Sequence, residues 1–254
     1  MRIDLNSDMG ESYGAYQIGA DAEVLRWVTS ANVACGWHGG DPAVMRQTLQ
    51  RAKELGVAVG AHPGYPDLLG FGRRILQISR QEARDYTVYQ IGALRGFAEA
   101  LGLRLQHVKA HGALYNAAVK DAELSRGIAE GVAEVGKELI LVGLPESEIV
   151  RAGQAVGLRV AREAFGDRAY NEDGTLVSRK LPGSLITDPD LVAQRVLDMV
   201  GGQVLAITGK RIQIQADTIC MHGDTPGAGA IARRVHERLK AAGVTLAPMA
   251  TFLS

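Results

Sequence analysis

Polar side chains recur at every second position in three short stretches of this chain. Asp4, Asn6 and Asp8 alternate with Ile3 and Leu5; His107, Lys109 and His111 flank Val108 and Ala110; Thr218, Cys220, His222 and Asp224 form a third set. Residues two apart share one face of an extended strand, so each stretch predicts a strand with a polar face. Such a face is costly inside a protein unless its groups pair with one another or border a polar cavity. A fourth stretch brings His62 into line with the small residues Ala58 and Gly60, and a fifth aligns Glu163, Phe165 and Asp167. Histidine beside carboxylates is the composition that general acid–base catalysis uses. A buried lysine must be paired or lose its proton. For Lys109 the prospective partners are Asp8, Glu163, Asp224 or a substrate carboxylate.

A lone histidine on a strand is ordinarily structural. Here four of the six histidines, His62, His107, His111 and His222, fall at or near expected strand ends, as do Asp8 and Asp224. That conjunction argues for one shared centre. His236 falls in a helical segment and reads as a solvated residue. His38 sits in Cys35-Gly36-Trp37-His38-Gly39-Gly40-Asp41, just before a helix start. Free backbone N–H groups at such a place suit an anion or a carbonyl; a plain tight turn accounts for the same glycines. Cys35 and Cys220 read as small buried residues, with no disulfide framework.

The elements that must position these groups are legible in outline. Strands are expected over residues 2–8, 30–35, 57–62, 107–111, 138–144, 159–165 and 218–222. Helix signals lie between them. Asp41-Pro42 supplies an N-cap and a first-turn proline, and Gly56 closes that helix. Ser79 and Glu82 have capping-box spacing, opening a helix that Gly102 ends. Asp188-Pro189 repeats the first device, and a last helix runs from about Gly227 to Gly243. A small hairpin is expected within 204–215, around Thr208-Gly209-Lys210. Strands alternating with helices argue for a parallel sheet. Polar residues at strand ends all along the chain favour a closed barrel, because an open sheet gathers them near one switch point. No linker or internal repeat divides the chain, so residues 1–254 read as one α/β domain, a parallel β/α barrel of about seven strands.

Bulk properties narrow the function. Lys plus Arg and Asp plus Glu balance at 28 each, so charge gives no reason to bind nucleic acid or an anionic membrane. Hydrophobic residues make up 46% and aromatics only 5%, so the core must be aliphatic and alanine-rich. No apolar run is long enough to span a membrane, and the opening residues lack a secretion signal; a cytoplasmic location is expected. Thr208-Gly209-Lys210-Arg211 lacks the spacing of a phosphate-binding P-loop. H-E-x-x-H, C-x-x-C and G-x-S-x-G are also absent from the sequence.

Several longer strings carry a resemblance. They are Asp4-Leu5-Asn6-Ser7-Asp8-Met9-Gly10-Glu11, 31–41 (ANVACGWHGGD), 60–67 (GAHPGYPD), 70–74 (GFGRR), 108–116 (VKAHGALYN), 163–170 (EAFGDRAY) and 220–224 (CMHGD). Together they resemble the lactam-utilization (LamB/YcsF-type) family over essentially the whole chain. The resemblance implies a distorted barrel related to the glycoside hydrolase/deacetylase superfamily. It also implies one component of an ATP-dependent 5-oxoprolinase, which with subunits B and C opens 5-oxo-L-proline to L-glutamate using ATP as co-substrate. A five-membered lactam is an unstrained amide, so its carbonyl needs activation, its ring nitrogen a proton and the attacking water a base. The candidate catalytic residues are Asp8, His62, Lys109, His111, Glu163, Asp167, His222 and Asp224. The candidate substrate contacts are Asn6, Asn32, His38 and Arg168, with Lys109 or Arg168 suited to the substrate carboxylate.

Two other functions fit the same residues. His62, His111 and Asp8 are a possible ligand set for a stand-alone metal-dependent hydrolase or deacetylase. A substrate-binding component whose partners hold the chemistry is the other. Because the histidines are interspersed with Lys109 and several carboxylates, the sequence alone favours an acid–base network over a closed zinc site.

Overall fold

The computed structural model describes residues 1–253. Seven parallel strands close a ring: β1 (Arg2–Met9), β2 (Ser30–Ala34), β3 (Ala58–His62), β4 (Leu105–Lys109), β5 (Ile140–Gly143), β6 (Arg159–Phe165) and β9 (Thr218–Cys220), with β9 pairing back onto β1. Helices wrap the outside: α1 (Asp21–Val24), α2 (Pro42–Leu55), α3 (Arg80–Ala100), α4 (Gly112–Ala118), α5 (Ala122–Val135), α6 (Glu148–Ala155), α7 (Pro189–Val200) and α8 (Ala228–Ala241). The expected caps are in place. Asp41 accepts from the amides of Ala43 and Val44, Asp188 accepts from Leu191, and Ser79 and Glu82 close a capping box. The expected hairpin is β7 (Gln203–Leu205) against β8 (Arg211–Gln213), and a two-residue strand, β10 (Thr245–Leu246), lies along the outer edge of β1. Nothing in so short a stretch marks β10 as a strand in the sequence.

Two expected strands end two residues early. Strand β4 stops at Lys109, and His111 is the N-cap of α4. Strand β9 stops at Cys220, so His222 and Asp224 belong to the loop that follows. Both segments leave the barrel at its C-terminal rim, where the turn into the next helix takes over from the pleat. Alternation therefore points to the right rim but not to the right backbone for these residues.

Alternation on β1 sends Ile3 and Leu5 into the apolar layer beneath the helices and Asp4, Asn6 and Asp8 into the barrel. The interior consequently holds a hydrogen-bonded polar column. Asn6 Nδ2 donates to Glu163 Oε1 (3.1 Å) and to Thr218 Oγ1 (2.7 Å). Asn32 Nδ2 donates to Asn6 Oδ1 (2.7 Å) and Asp8 Oδ1 (2.8 Å), and its own Oδ1 accepts from His107 Nε2 (2.7 Å). The column is buried, so each unmade bond would cost about 1–3 kcal/mol. Burial, with the nearby Lys109 charge, pushes His107 down to about 3 and keeps its ring neutral in this column.

The His107 ring fits only because residue 60 on β3 has no side chain. A Cβ at Gly60 would overlap the ring atoms. We expect Gly60→Ala to cost roughly 2–3 kcal/mol, a fall on the order of 5–10 °C in Tm. Thermal unfolding of the purified variant checks this, and an unchanged Tm would mean that the polar column yields more readily than its hydrogen bonds imply.

Candidate active site

A cavity of about 550 Å³ opens at the C-terminal rim. Its floor is Asp8, Lys109 and His111, and its walls come from the loops after β3, β6 and β9. Three groups of residues meet there.

The first is an ion-pair centre. Lys109 Nζ lies 2.9 Å from Asp8 Oδ1 and 2.9 Å from Glu163 Oε1, and it donates to Cys220 Sγ at 3.1 Å. Burial opposes the ammonium form, and the Asp8 and Glu163 charges outweigh it, so Lys109 sits well above its ordinary range. Burial also pushes the Cys220 thiol well up despite Lys109, which excludes it as a ready thiolate. For Asp8, burial is overcome by His62 and Lys109, which hold its carboxyl well below the usual carboxylate range.

The second is a histidine cluster. His62 Nδ1 donates to the Lys109 carbonyl (2.7 Å), and its Nε2 lies 3.3 Å from Asp8 Oδ2. His111 Nε2 donates to the Phe71 carbonyl (2.8 Å). His38 stacks on His111 with ring centroids 3.6 Å apart and planes at 6°. Glu11 binds the group together, with Oε1 3.0 Å from His38 Nε2 and 3.1 Å from His111 Nδ1. Burial raises the Glu11 carboxyl, but the His111 and His38 ring nitrogens that face it outweigh this and hold it well below its usual range, while burial and the neighbouring His111 push His38 down to about 3. Phe71, which supplies the carbonyl, is one of two non-glycine residues with positive φ (55°) among the described residues. Such backbone costs about 1–3 kcal/mol and collects at functional sites.

The third is a dyad. Asp167 Oδ1 accepts from His222 Nδ1 (2.8 Å), and its Oδ2 accepts from the His222 backbone N–H (3.0 Å). The nearby His222 overcomes burial and keeps Asp167 ionised below its usual range. The second ring nitrogen of His222 makes no hydrogen bond among the described residues, and the residue lines the cavity. His222 and Asp8 approach across the floor, with donor atoms within 4.8 Å.

The expected residues thus divide. Asp8, Lys109, His111, Arg168, His222 and Asp224 line the cavity. His62, Glu163 and Asp167 stand directly behind the lining. Asn6 and Asn32 do not reach it: both are fully buried in the polar column below Asp8, so they position Asp8 and are not substrate contacts. His38 is likewise enclosed behind His111, and its loop forms no open anion cradle at the cavity. Asp224 is no acid–base group of the interior. It is held at the rim by Arg73 (2.9 Å) and Arg179 (3.6 Å). Burial and Arg179 push Arg168 down to about 10, still cationic at neutral pH, and its guanidinium donates to the Val177 carbonyl (2.7 Å).

Three contributors escape strand alternation. Glu11 follows Gly10, whose φ of 68° breaks the strand pattern, so no periodicity points inward there. Arg179 and Lys180 come from the loop between β6 and α7, where the sequence signals only irregular structure. With Arg73, Lys120 and Arg168 they give the rim five cations facing one carboxylate, Asp224. That is a field suited to an anionic ligand.

Two sets of residues place metal-type donors together: Glu11, His38, His62 and His111, and Asp8, Cys220 and His222. In the second set the thiol is engaged by Lys109 and held protonated, a poor ligand state.

A closed parallel barrel with its polar centre at the C-terminal ends of the strands is the architecture of barrel enzymes. Built on that architecture, the chain belongs to the LamB/YcsF family, whose profile it matches over residues 3–254. It is 54% identical over 254 residues to the A component of 5-oxoprolinase from Pyrococcus abyssi, covering all of both chains. It is 51% identical over 253 residues to the component of the same name from Campylobacter jejuni strain 81-176, covering 99% of each. The crystal structure of the lactam utilization protein from Thermus thermophilus superposes with a TM-score of 0.93 at 48% identity, over 97% of this chain and 99% of that one. A family 4 carbohydrate esterase from Streptomyces lividans shares the fold at a TM-score of 0.50 and 13% identity. Among the described residues no helix is long and apolar enough to cross a membrane.

Proposed function

We propose that this chain is the lactam-opening component of a cytoplasmic ATP-dependent 5-oxoprolinase, working with subunits B and C to convert 5-oxo-L-proline, ATP and water to L-glutamate, ADP and phosphate. One observation carries the reading. In one cavity Asp8, backed by His62, faces His222, which is held from behind by its own carboxylate Asp167, under a cationic rim. Lactam hydrolysis needs those three provisions: a base for the water, an acid for the ring nitrogen, and cations for the substrate carboxylate and an activated carbonyl oxygen. The full-length relatives, named as the A component of 5-oxoprolinase, supply the substrate.

In this reading Asp8, kept ionised by Lys109 and oriented by His62 at 3.3 Å, accepts the proton of the attacking water. His222, oriented through Nδ1 by Asp167, delivers a proton to the departing ring nitrogen. Arg168 and Arg179 hold the substrate carboxylate. The amide is too stable to open by acid–base action alone at a useful rate; with its carbonyl oxygen phosphorylated, attack by one water and departure of the ring nitrogen leave an acyl phosphate, which a second water hydrolyses to glutamate and phosphate. The lack of P-loop spacing in the sequence supports assigning ATP to the partner subunits.

The isolated chain is therefore expected to release glutamate from 5-oxoproline and ATP at no more than about 1% of the rate of the reconstituted complex, given the ~10²-fold or larger effect of losing a chemical step. Parallel assays of chain and complex decide the matter. Full turnover by the chain alone would refute the division of labour.

A further inference from the structure

We infer that Glu11, His38, His62 and His111 form a binding site for one divalent first-row transition cation, of the zinc type, open toward the cavity beside Asp8. The inference rests on how the rings are pinned. A backbone carbonyl only accepts, so the nitrogens that face the Lys109 and Phe71 carbonyls, His62 Nδ1 and His111 Nε2, must each carry the proton. In the neutral rings His62 Nε2 and His111 Nδ1 are then bare, and these two lone pairs face each other at 3.1 Å. Around them stand only further acceptors: Glu11 Oε1 is 3.1 Å from His111 Nδ1 and 3.9 Å from His62 Nε2, and Asp8 Oδ2 is 3.3 Å from His62 Nε2. Lone pairs so arranged repel unless a proton or a metal cation lies among them, and four donor side chains converging on one point suit the metal.

Metal geometry fits the spacing. Bonds of about 2.0–2.1 Å in a tetrahedral site put donor atoms roughly 3.4 Å apart. Glu11 Oε1 lies 3.0 Å from His38 Nε2, 3.1 Å from His111 Nδ1 and 3.9 Å from His62 Nε2, and all four donor atoms lie within 4.8 Å of one another. The outer N–H of a metal-bound histidine characteristically donates to a backbone carbonyl or carboxylate, fixing the ring. Both His62 and His111 are fixed in this way. His38 adds a third imidazole through Nε2, although its outer Nδ1 lacks the carbonyl partner that fixes the other two rings. Imidazole with carboxylate selects zinc-like cations over magnesium or calcium.

The sequence favours an acid–base network because Lys109 lies among the histidines. In the fold Lys109 Nζ turns instead to Asp8 Oδ1, Glu163 and Cys220, and the histidines gather around Glu11. Asp8 borders both groups, with one oxygen toward each. Glu11, His111 and Asp8 line the cavity while His38 and His62 do not, so an open coordination position would face the substrate space. A cation there would polarise the attacking water or the lactam carbonyl. The site itself follows from the donor geometry alone. Its test reads binding rather than lactam turnover, so it fails or stands independently of the proposed function.

The test uses the full chain, stripped with chelator and titrated with zinc and cobalt(II). One equivalent of zinc per chain is expected, held against a competing chromophoric chelator, with a rise in Tm. Cobalt(II) should give intense visible absorption bands of low-symmetry nitrogen–oxygen coordination. His111→Gln and Glu11→Gln should each weaken zinc binding at least 10-fold and abolish the cobalt spectrum. His236→Gln, a histidine on α8 that bonds the Trp27 carbonyl, should change neither. Should His111→Gln fold poorly, the wild-type cobalt spectrum decides alone. No stoichiometric binding by the wild-type chain, or binding that persists in folded Glu11→Gln and His111→Gln, would overturn the site.

Discussion

His222→Gln is expected to reduce glutamate release by the assembled complex by roughly 10²–10⁴-fold, the usual effect of removing a general acid–base group. Glutamine keeps a donor near Asp167 but has no ring nitrogen to carry a proton to the lactam nitrogen. The fold should tolerate it. Asp167 still accepts from the backbone N–H of residue 222, and the site borders the cavity, so no buried charge is left without a partner. Asp167→Asn should fall in the same direction through a different cause. The amide no longer dictates which His222 nitrogen carries the proton, so the catalytic tautomer is lost while the ring remains. Turnover, complex assembly by mass and Tm, measured on both variants, separate the readings. A folded, assembled His222→Gln complex with near-normal turnover would remove the dyad from the chemistry.

Lys109→Met is expected to have the largest effect on stability, about 3–5 kcal/mol, which is the scale of breaking a buried ion pair by deleting one partner. Lys109 is the shared cation of Asp8 and Glu163, with its ammonium 2.9 Å from each. Without it two carboxylates remain in the polar column with only amide and hydroxyl donors. The second substitution that should relieve this is Glu163→Gln, which removes one of the two charges and keeps an acceptor for Asn6. Lys109→Met/Glu163→Gln should recover a substantial part of the lost stability, measured by denaturant unfolding, while turnover stays low because Asp8 has lost its charge partner. If the double variant is less stable than Lys109→Met alone, Glu163 is not a charge that Lys109 compensates.

The fold is readable in the sequence because its signals are local and repeated. Caps at Asp41, Ser79 and Asp188 mark helix starts, and the alternation of β1 sorts Ile3 and Leu5 from Asp4, Asn6 and Asp8 onto two faces. Alternation is weakest at the rim, where function lies. It carries His111 and Asp224 onto strands that have already ended, and it gives no weight to Glu11 beyond the bend at Gly10. The same periodicity cannot tell depth. Asn6, Asn32 and Asp8 all point into the barrel, yet only Asp8 reaches the cavity, because each pleat inward adds another layer of hydrogen-bonded partners above it. Burial also changes what a substitution means. His111 packs against His38, His62 and Phe71, so His111→Ala would open a cavity as well as remove a donor, and the conservative glutamine is the sharper probe. The basic rim is assembled from separate loops that only the closed barrel brings together.

If the hydrolytic centre belongs to this chain, its removal must silence the whole complex. The most direct test is glutamate release by the complex reconstituted with partner subunits and either the wild-type chain or Asp8→Asn/His222→Gln. Val108→Ala serves as a control for lost stability, since Val108 is a buried residue on the apolar face of β4. The expected result is unchanged assembly with at least about 10³-fold lower glutamate release in the double variant, and near-normal turnover by the folded fraction of Val108→Ala. Wild-type glutamate release from a fully assembled complex carrying Asp8→Asn/His222→Gln would contradict this assignment and place the chemistry in a partner.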